Sequence, residues 1–346
     1  MAFSAIIKPT DYFIPELYTG NGGTQTISGL NFQPDFTWIK SRSNAEGHGL
    51  FDVLRGVTNR IQSNTLNAES SVAGSLQSFD SDGFTVGNDV GANGNGQTFA
   101  SWNWKANGQG SSNTEGSINT TYTSANTTSG FSIIQYTGNA TASATIGHGL
   151  GKIPTMIIFR RYAQAENWDV YHQAIGNAKS IRLNETGAAF DNATALTSTT
   201  PTSNLITLGT SVTTNANGNP MIAYCFADVQ GFSKMGSYIG NGNADGIFAY
   251  TGFKPAFVMT RPSSGVGSWY MLDNKRANPF NVVTGRLEAD GSGTENTGFT
   301  WCDFTSNGFK IRTTEGGINA SGVTFIYMAF AEEPLVSTNG NAATAR

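Results

Sequence analysis

Three basic residues recur at one position of a repeated stretch, and each has an acid downstream. Lys40, Arg160 and Arg261 stand at the same step beyond Pro34, Pro154 and Pro255, and Asp52, Asp169 and Asp273 follow the same prolines at nearly matching distances. A cation and a carboxylate so placed could do one of two things. They could close an ion pair at the rim of a folded unit, pinning one strand to the next, or they could line a polar ligand pocket built three times. The ion pair is the simpler reading. Trp168 and Trp269 occupy equivalent places just before the acid in the second and third copies. They are candidate stacking rings for a carbohydrate, with a tryptophan buried in a core as the plainer alternative.

Other chemistry is sparse. The chain has no His-Glu-x-x-His zinc motif, no Walker loop and no Gly-x-Ser-x-Gly elbow. His48, His148 and His172 stand at unmatched places in the repeats, so a metal site would need the repeats to converge. Asp80-Ser-Asp-Gly begins like a calcium loop, but Gly91 falls where the bidentate Glu belongs, which leaves a hairpin turn. Carboxylate pairs for glycoside cleavage converge only in three dimensions, and the low acid count speaks against them. The expectation is therefore a protein that is not an enzyme and carries no cofactor or metal.

Composition narrows the partners. Charged residues make up 13% of the 346, and the net charge is −4 with Lys and Arg scattered. No basic stripe exists to track phosphates, so nucleic acid is not an expected partner. No run of about 18 apolar residues occurs, so no membrane span is expected. Cys225 and Cys302 make no disulfide framework, and the first residues lack the pattern of a secretory signal.

The elements that would position these residues are strands. Gly is abundant at 42 residues and aromatics reach 11%; turn formers between β-branched and aromatic runs point to an all-β fold. The stretch Gly29-Leu-Asn-Phe-Gln-Pro-Asp-Phe-Thr-Trp-Ile-Lys-Ser-Arg has counterparts at Gly149–Arg160 and Thr251–Arg261. The distances from Pro34 to Trp104, from Pro154 to Phe226 and from Pro255 to Phe330 agree closely, which is hard to obtain by chance. Three tandem β-sandwich, jelly-roll-like repeats follow, behind a short N-terminal arm. The expected boundaries are an arm at 1–16, repeats at 17–105, 131–228 and 238–332, a flexible Ser/Thr/Asn/Gly-rich linker at 106–130 and a polar tail at 333–346. Within each repeat, residues two and four beyond the proline share a face: Phe36 and Trp38, Met156 and Ile158, Phe257 and Met259. That face should point into the core of its own sandwich. Three units in one chain also suggest an arrangement around a threefold axis.

Tyr18-Thr-Gly-Asn-Gly, Thr26–Arg42, Ser78-Phe-Asp-Ser-Asp-Gly-Phe and Trp102-Asn-Trp-Lys resemble a repeated β-domain family of bacteriophage virion proteins, many from marine and cyanobacterial phages and tail-fibre-like. The match is close over residues 8–105 and degenerate in the later repeats. The resemblance implies a virion structural protein, assembled in the host cytoplasm, oligomeric in the particle, with other virion proteins as partners. It implies a tail-associated place and contact with host surface polysaccharide. A capsid decoration is the alternative, and a polysaccharide depolymerase the weakest. The family brings no catalytic residues.

Overall fold

Short apolar runs between Asn-Gly and Asp-Gly turns become strands, and the strand order repeats three times. The computed structural model describes Ser4, residues 6–276 and residues 281–336. The first repeat contributes β1 (Phe13–Thr19), β2 (Gln25–Ser28), β3 (Phe36–Ser41), β4 (Gly49–Asp52), β5 (Asn59–Arg60), β6 (Ser70–Ser71), β7 (Leu76–Asp80), β8 (Gly83–Val86) and β9 (Thr98–Trp104). The second contributes β10 (Tyr122–Asn126), β11 (Phe131–Thr137), β12 (Ala144–Gly147), β13 (Pro154–Arg161), β14 (Asp169–His172), β15 (Lys179–Arg182), β16 (Phe190–Asp191), β17 (Leu205–Leu208) and β18 (Pro220–Ala227). The third contributes β19 (Ser233–Ile239), β20 (Phe248–Tyr250), β21 (Phe253–Pro262), β22 (Tyr270–Asp273), β23 (Leu287–Glu288), β24 (Cys302–Thr305), β25 (Gly308–Ile311) and β26 (Thr324–Pro334).

The all-β expectation holds. Each repeat has a large antiparallel sheet with a common core order: β1-β9-β3-β4, β11-β18-β13-β14 and β19-β26-β21-β22. Smaller sheets, β2-β8-β7, β12-β17 and β20-β25-β24, accompany them. In the first repeat Ile14, Ile39, Phe51 and Phe99 of the large sheet cluster with Ile27, Leu76, Phe84 and Val86 of the small one. The second repeat does the same with Ile157, Phe159 and Cys225 against Ile146, Ile206 and Leu208.

The other face of each large sheet looks toward the other repeats. Phe36, Trp38, Met156, Ile158, Phe257 and Met259 all lie in one cluster that draws on all three repeats. They are buried as expected, but in a shared core and not within separate sandwiches. Its centre is marked by Trp104, Phe226 and Phe330, which pair across their sheets with Phe36, Met156 and Phe257. These three rings touch one another, with centroids 6.2, 5.7 and 5.9 Å apart.

The recurring Tyr-x-Gly-Asn has a structural cause that the sequence alone did not reveal. Tyr18, Tyr136 and Tyr238 donate their hydroxyls to carbonyls of Ala92, Thr214 and Ile318, in one-turn helices ending at Asn93, Asn215 and Asn319. Those buried asparagines accept from the backbone N–H of Asn21, Asn139 and Asn241 at 3.0, 2.8 and 3.0 Å. Gly20, Gly138 and Gly240 are required between them. A Cβ there would sit 2.3, 2.4 and 2.3 Å from the carbonyl oxygens of Gly94, Ala216 and Ala320.

Three boundaries differ from expectation. Residues 106–130 are not a flexible linker: they carry β10, which pairs with β11, and their backbone bonds β12 through Ile118 N–H to Thr145 O at 2.9 Å. Side-chain hydroxyls and amides supply the anchoring that large apolar residues do not. The arm ends sooner than residue 16, because β1 starts at Phe13, and Ile6 and Phe13 enter the shared core. Glu333 and Pro334 belong to β26, while the tail from 337 onward and Phe3 lie outside the described residues.

Candidate functional site

Register fixes which residues are equivalent, and the equivalent residues meet at three seams. Phe36, Met156 and Phe257 stand opposite Asp52, His172 and Asp273. Gly49, Asp169 and Tyr270 are therefore equivalent too, and so are the residues before them: His48, Trp168 and Trp269. At each seam one backbone bond repeats. Glu69 N–H donates to Tyr162 O, Ala189 N–H to Ser263 O and Glu295 N–H to Arg42 O, at 2.7, 2.9 and 2.8 Å. The second repeat thus docks on the first, the third on the second and the first on the third. The ring is closed.

The ring nitrogens follow the same rule. Trp168 Nε1 donates to Gln62 O, Trp269 Nε1 to Arg182 O and His48 Nε2 to Glu288 O, each at 2.9 Å. The tautomer of His48 is set by Trp38 Nε1, which donates to His48 Nδ1 at 2.7 Å and leaves the proton on Nε2. Trp168 and Trp269 are fully buried. Neither can serve as a surface platform for sugar, because each ring is enclosed by its own sheet and the neighbouring repeat.

The expected ion pairs form differently. Lys40, Arg160 and Arg261 do not meet Asp52, Asp169 and Asp273. Arg160 caps the carbonyls of Leu66 and Asn67 in the first repeat, and Arg261 those of Arg182, Glu185 and Gly187 in the second. Both stack on their own tryptophan, 5.3 and 5.2 Å from the rings of Trp168 and Trp269. Lys40 reaches only Ser41 O at 2.6 Å and Asn44 O at 3.4 Å. The physical reason is geometric. The cations point along the seam, while Asp52 and Asp273 sit at the other end of the paired strands, opposite Phe36 and Phe257. Asp169, opposite Phe159 beside Arg160, faces the other side of the sheet.

Asp52 and Asp273 pair instead with arginines three residues on, Arg55 Nε at 2.6 Å and Arg276 Nε at 2.7 Å, with both partners buried. Their free lone pairs are taken by the next repeat. Tyr224 Oη donates to Asp52 at 2.7 Å and Trp102 Nε1 to Asp273 at 3.0 Å. At the third place the acid is replaced by His172, whose Nε2 meets Tyr327 O at 3.1 Å, and the residue matching Tyr224 and Trp102 is Met328. Donor and acceptor have been lost together. Asp169 lies three residues from that position, on the opposite face of β14. There it takes Arg182 at 3.2 Å and Thr213 Oγ1 at 2.6 Å. The histidines stand at unmatched places relative to one another, yet His48 and His172 each take the place of a residue that recurs. Counted from the signature proline, His48 falls level with Trp168 and Trp269, and His172 falls level with Asp52 and Asp273.

Burial dominates the electrostatics. It pushes His48 down to about 3 and His172 to about 4, so both rings are neutral near pH 7. It lowers Lys40 to about 8, and Arg160 and Arg261 to about 10. Arg55, held by Asp52, Tyr224 and Glu69, moves up despite its burial. Among the described residues, no cluster of three or more His, Cys, Asp or Glu side chains could hold a metal ion. A cleft of about 490 Å³ beside the closing seam is lined by Arg286, Glu288, Glu295 and Asn296. Its charges are already paired: Arg286 with Glu288 at 2.7 Å, and Glu295 with Arg42 and Arg276 at 2.8 and 3.1 Å. No helix among the described residues is long and apolar enough to cross a membrane.

A family described as a domain of unknown function, DUF7483, matches residues 8–334, and the chain belongs to it. The match spans all three repeats. Comparison with curated proteins and with solved structures finds no match.

Proposed function

We propose that this DUF7483 chain is a non-enzymatic structural protein of a bacteriophage virion, tail-associated, whose partners are other virion proteins and host surface polysaccharide. One observation supports this reading most. The side chains that recur from repeat to repeat are consumed inside the body. The tyrosines and asparagines are used within each repeat, and most of the signature-strand cations, acids and tryptophans in holding three repeats in a ring. Asp52, Asp273, Arg160, Arg261, Trp168 and Trp269 all make seam contacts. A body so built presents outer loops and edges to its surroundings and keeps its repeated chemistry inside, which suits architecture better than turnover.

The test is location. Antibodies raised against the chain should label purified particles of the encoding phage at the tail, and mass spectrometry should find it at a fixed copy number. Labelling over the shell would make it a capsid decoration, and absence from the particles would sink the virion reading. Loss of polysaccharide viscosity on incubation with the purified chain would replace architecture with a depolymerase.

A further inference from the structure

We propose that the outer face of the third repeat's small sheet binds a polysaccharide, stacking sugar rings on Phe248 and Tyr250. This deepens the virion reading by giving its polysaccharide partner a site.

The repeats act as each other's control. In β20, Ala249 points inward, while Phe248 and Tyr250 point out and are 45% and 61% exposed. Register with β25, β8 and β17 places Phe248 where the first two repeats carry Thr26 and Thr145, and Tyr250 where they carry Ser28 and Gly147. Two sister strands fold with small residues at these places, so the fold itself does not ask for aromatics. The second repeat covers this edge with its own chain: Ser117 and Ile118 bond Thr145, and Asn113 lies where a side chain on Gly147 would go. The first repeat leaves the edge polar, with Thr26 bonded to Thr85 at 2.9 Å. Among the described residues, the third repeat alone pairs an open edge with two large rings.

Both rings lie against glycine. A Cβ built on Gly308 would come within 2.9 Å of Phe248 Cζ, and one on Gly252 within 3.6 Å of Tyr250 Oη. Each ring thus has one side toward backbone and one toward solvent. Residues two apart on a strand lie about 6.6 Å apart, a spacing that lets neighbouring sugar units of one chain contact both rings. The same face carries fixed hydrogen-bonding groups. Lys310, directly across from Phe248, is bound to Asp245 at 2.8 Å, and Arg312 to Asp303 at 3.3 Å. Beyond Tyr250 a cleft of about 500 Å³ adds Asp228, Gln230 and Lys234 beside the apolar Val229, Leu335 and Val336. Interfaces between proteins have a charge-depleted core across at least about 1,000 Å². Two rings bordered by charges suit a ligand that is apolar on the faces of its rings and polar around them, which describes a sugar.

The test uses the full chain on a glycan array of bacterial capsular polysaccharides and O-antigens, with cellohexaose and maltohexaose added. Phe248→Thr/Tyr250→Ser installs the first repeat's own residues, and Tyr250→Ser alone is the milder variant; unchanged melting temperatures certify both folds. The wild type should bind at least one polysaccharide, with a tenfold or greater loss in the double variant and a smaller loss in the single. No binding by the wild type, or binding undiminished in the double variant, overturns the proposal. So does loss of particle incorporation in the double variant without any sugar bound, since the face would then belong to a protein. Sugar binding by a chain absent from particles would sink only the virion reading.

Discussion

The two seams between consecutive repeats differ from the seam that closes the ring. At the consecutive seams a tryptophan donates to the neighbour, and an arginine stacked on it reaches across to cap carbonyls. At the closing seam His48 takes the place of the tryptophan and Lys40 that of the arginine, and Lys40 stops short on its own loop. Arg42–Glu295 and Arg276–Glu295 fill the gap. The backbone bond is the same at all three. The Trp–Arg stacks of the two consecutive seams keep their state over a wide pH range. His172 is the one titrating ring among the described residues where the second repeat meets the third, whereas at the closing seam both the ring and the cation titrate. The repeats that are not consecutive in sequence meet through the more conditional chemistry.

The largest test of this contrast is to remove what all seams share. Trp104→Ala empties the place where the three repeats meet and should cost about 3–5 kcal/mol. Unfolding in urea should remain one transition shifted to lower denaturant. Separate transitions for separate repeats would show that the ring is not a cooperative unit. Next comes the acid at a single seam. Asp52→Ala takes the fully buried carboxylate from Arg55, which keeps only the partly exposed Glu69, and leaves Tyr224 Oη without its acceptor. The cost should be up to about 3–5 kcal/mol, read from the same urea curves. A loss under about 1 kcal/mol, the scale of an exposed pair, would mean that the Tyr224–Asp52–Arg55 group contributes little.

Acid should discriminate between the seams. His48 is held to about 3 in the folded chain, against about 6.5 unfolded. Below about pH 6.5 the unfolded chain takes up a proton that the folded chain refuses. Stability is therefore full above about pH 6.5 and falls as the pH drops toward 3, by up to about 1.4 kcal/mol per pH unit. His172, at about 4, adds in the same direction. Hydrogen exchange in mild acid, between the two histidine values, should open the amides around His48 and Arg286 before those around Trp168. His48→Gln should flatten the urea midpoint against pH. Simultaneous opening everywhere would contradict the conditional seam. Smaller still, Trp168→Phe should lose about 0.5–1.5 kcal/mol with the donor to Gln62 O. Arg42→Ala, at a partly exposed pair, should lose about 0–1 kcal/mol.

Much of this was legible from spacing. The strand alternation, the inward face of Phe36 and Trp38, and the hairpins at Asp82-Gly83 and Asn307-Gly308 are local properties, and local patterns write themselves into sequence. What the inward face points at is not local. Nothing in a two-residue period separates a sandwich interior from an interface between repeats, so the shared core was not readable. Asp169 reads as the counterpart of Asp52 and Asp273 because it is an acid, although it stands closer to its proline than they stand to theirs; the place at the matching distance holds His172. In the second repeat chemical type and distance point to different residues. Trp168 and Trp269 were equally ambiguous, since a buried and an exposed tryptophan look alike in one sequence. Nothing in the sequence singles out Phe248 and Tyr250, because their meaning comes only from comparison with Thr26, Ser28, Thr145 and Gly147.

The meeting of Trp104, Phe226 and Phe330 also sets a timetable for synthesis. When Trp104 leaves the ribosome, the face carrying Phe36, Trp38 and Trp102 is complete, but Phe330 is encoded two repeats later, near the end of the chain. Adding the 226 residues from Trp104 to Phe330 at roughly 5–20 per second takes about 11–45 seconds. For that interval a growing chain presents a broad aromatic sheet face to the cell, open to chaperones, to the same face on neighbouring nascent chains, or to a temporary cover of its own. Crowded polysomes would be the setting in which such wrong pairings compete most strongly with closure.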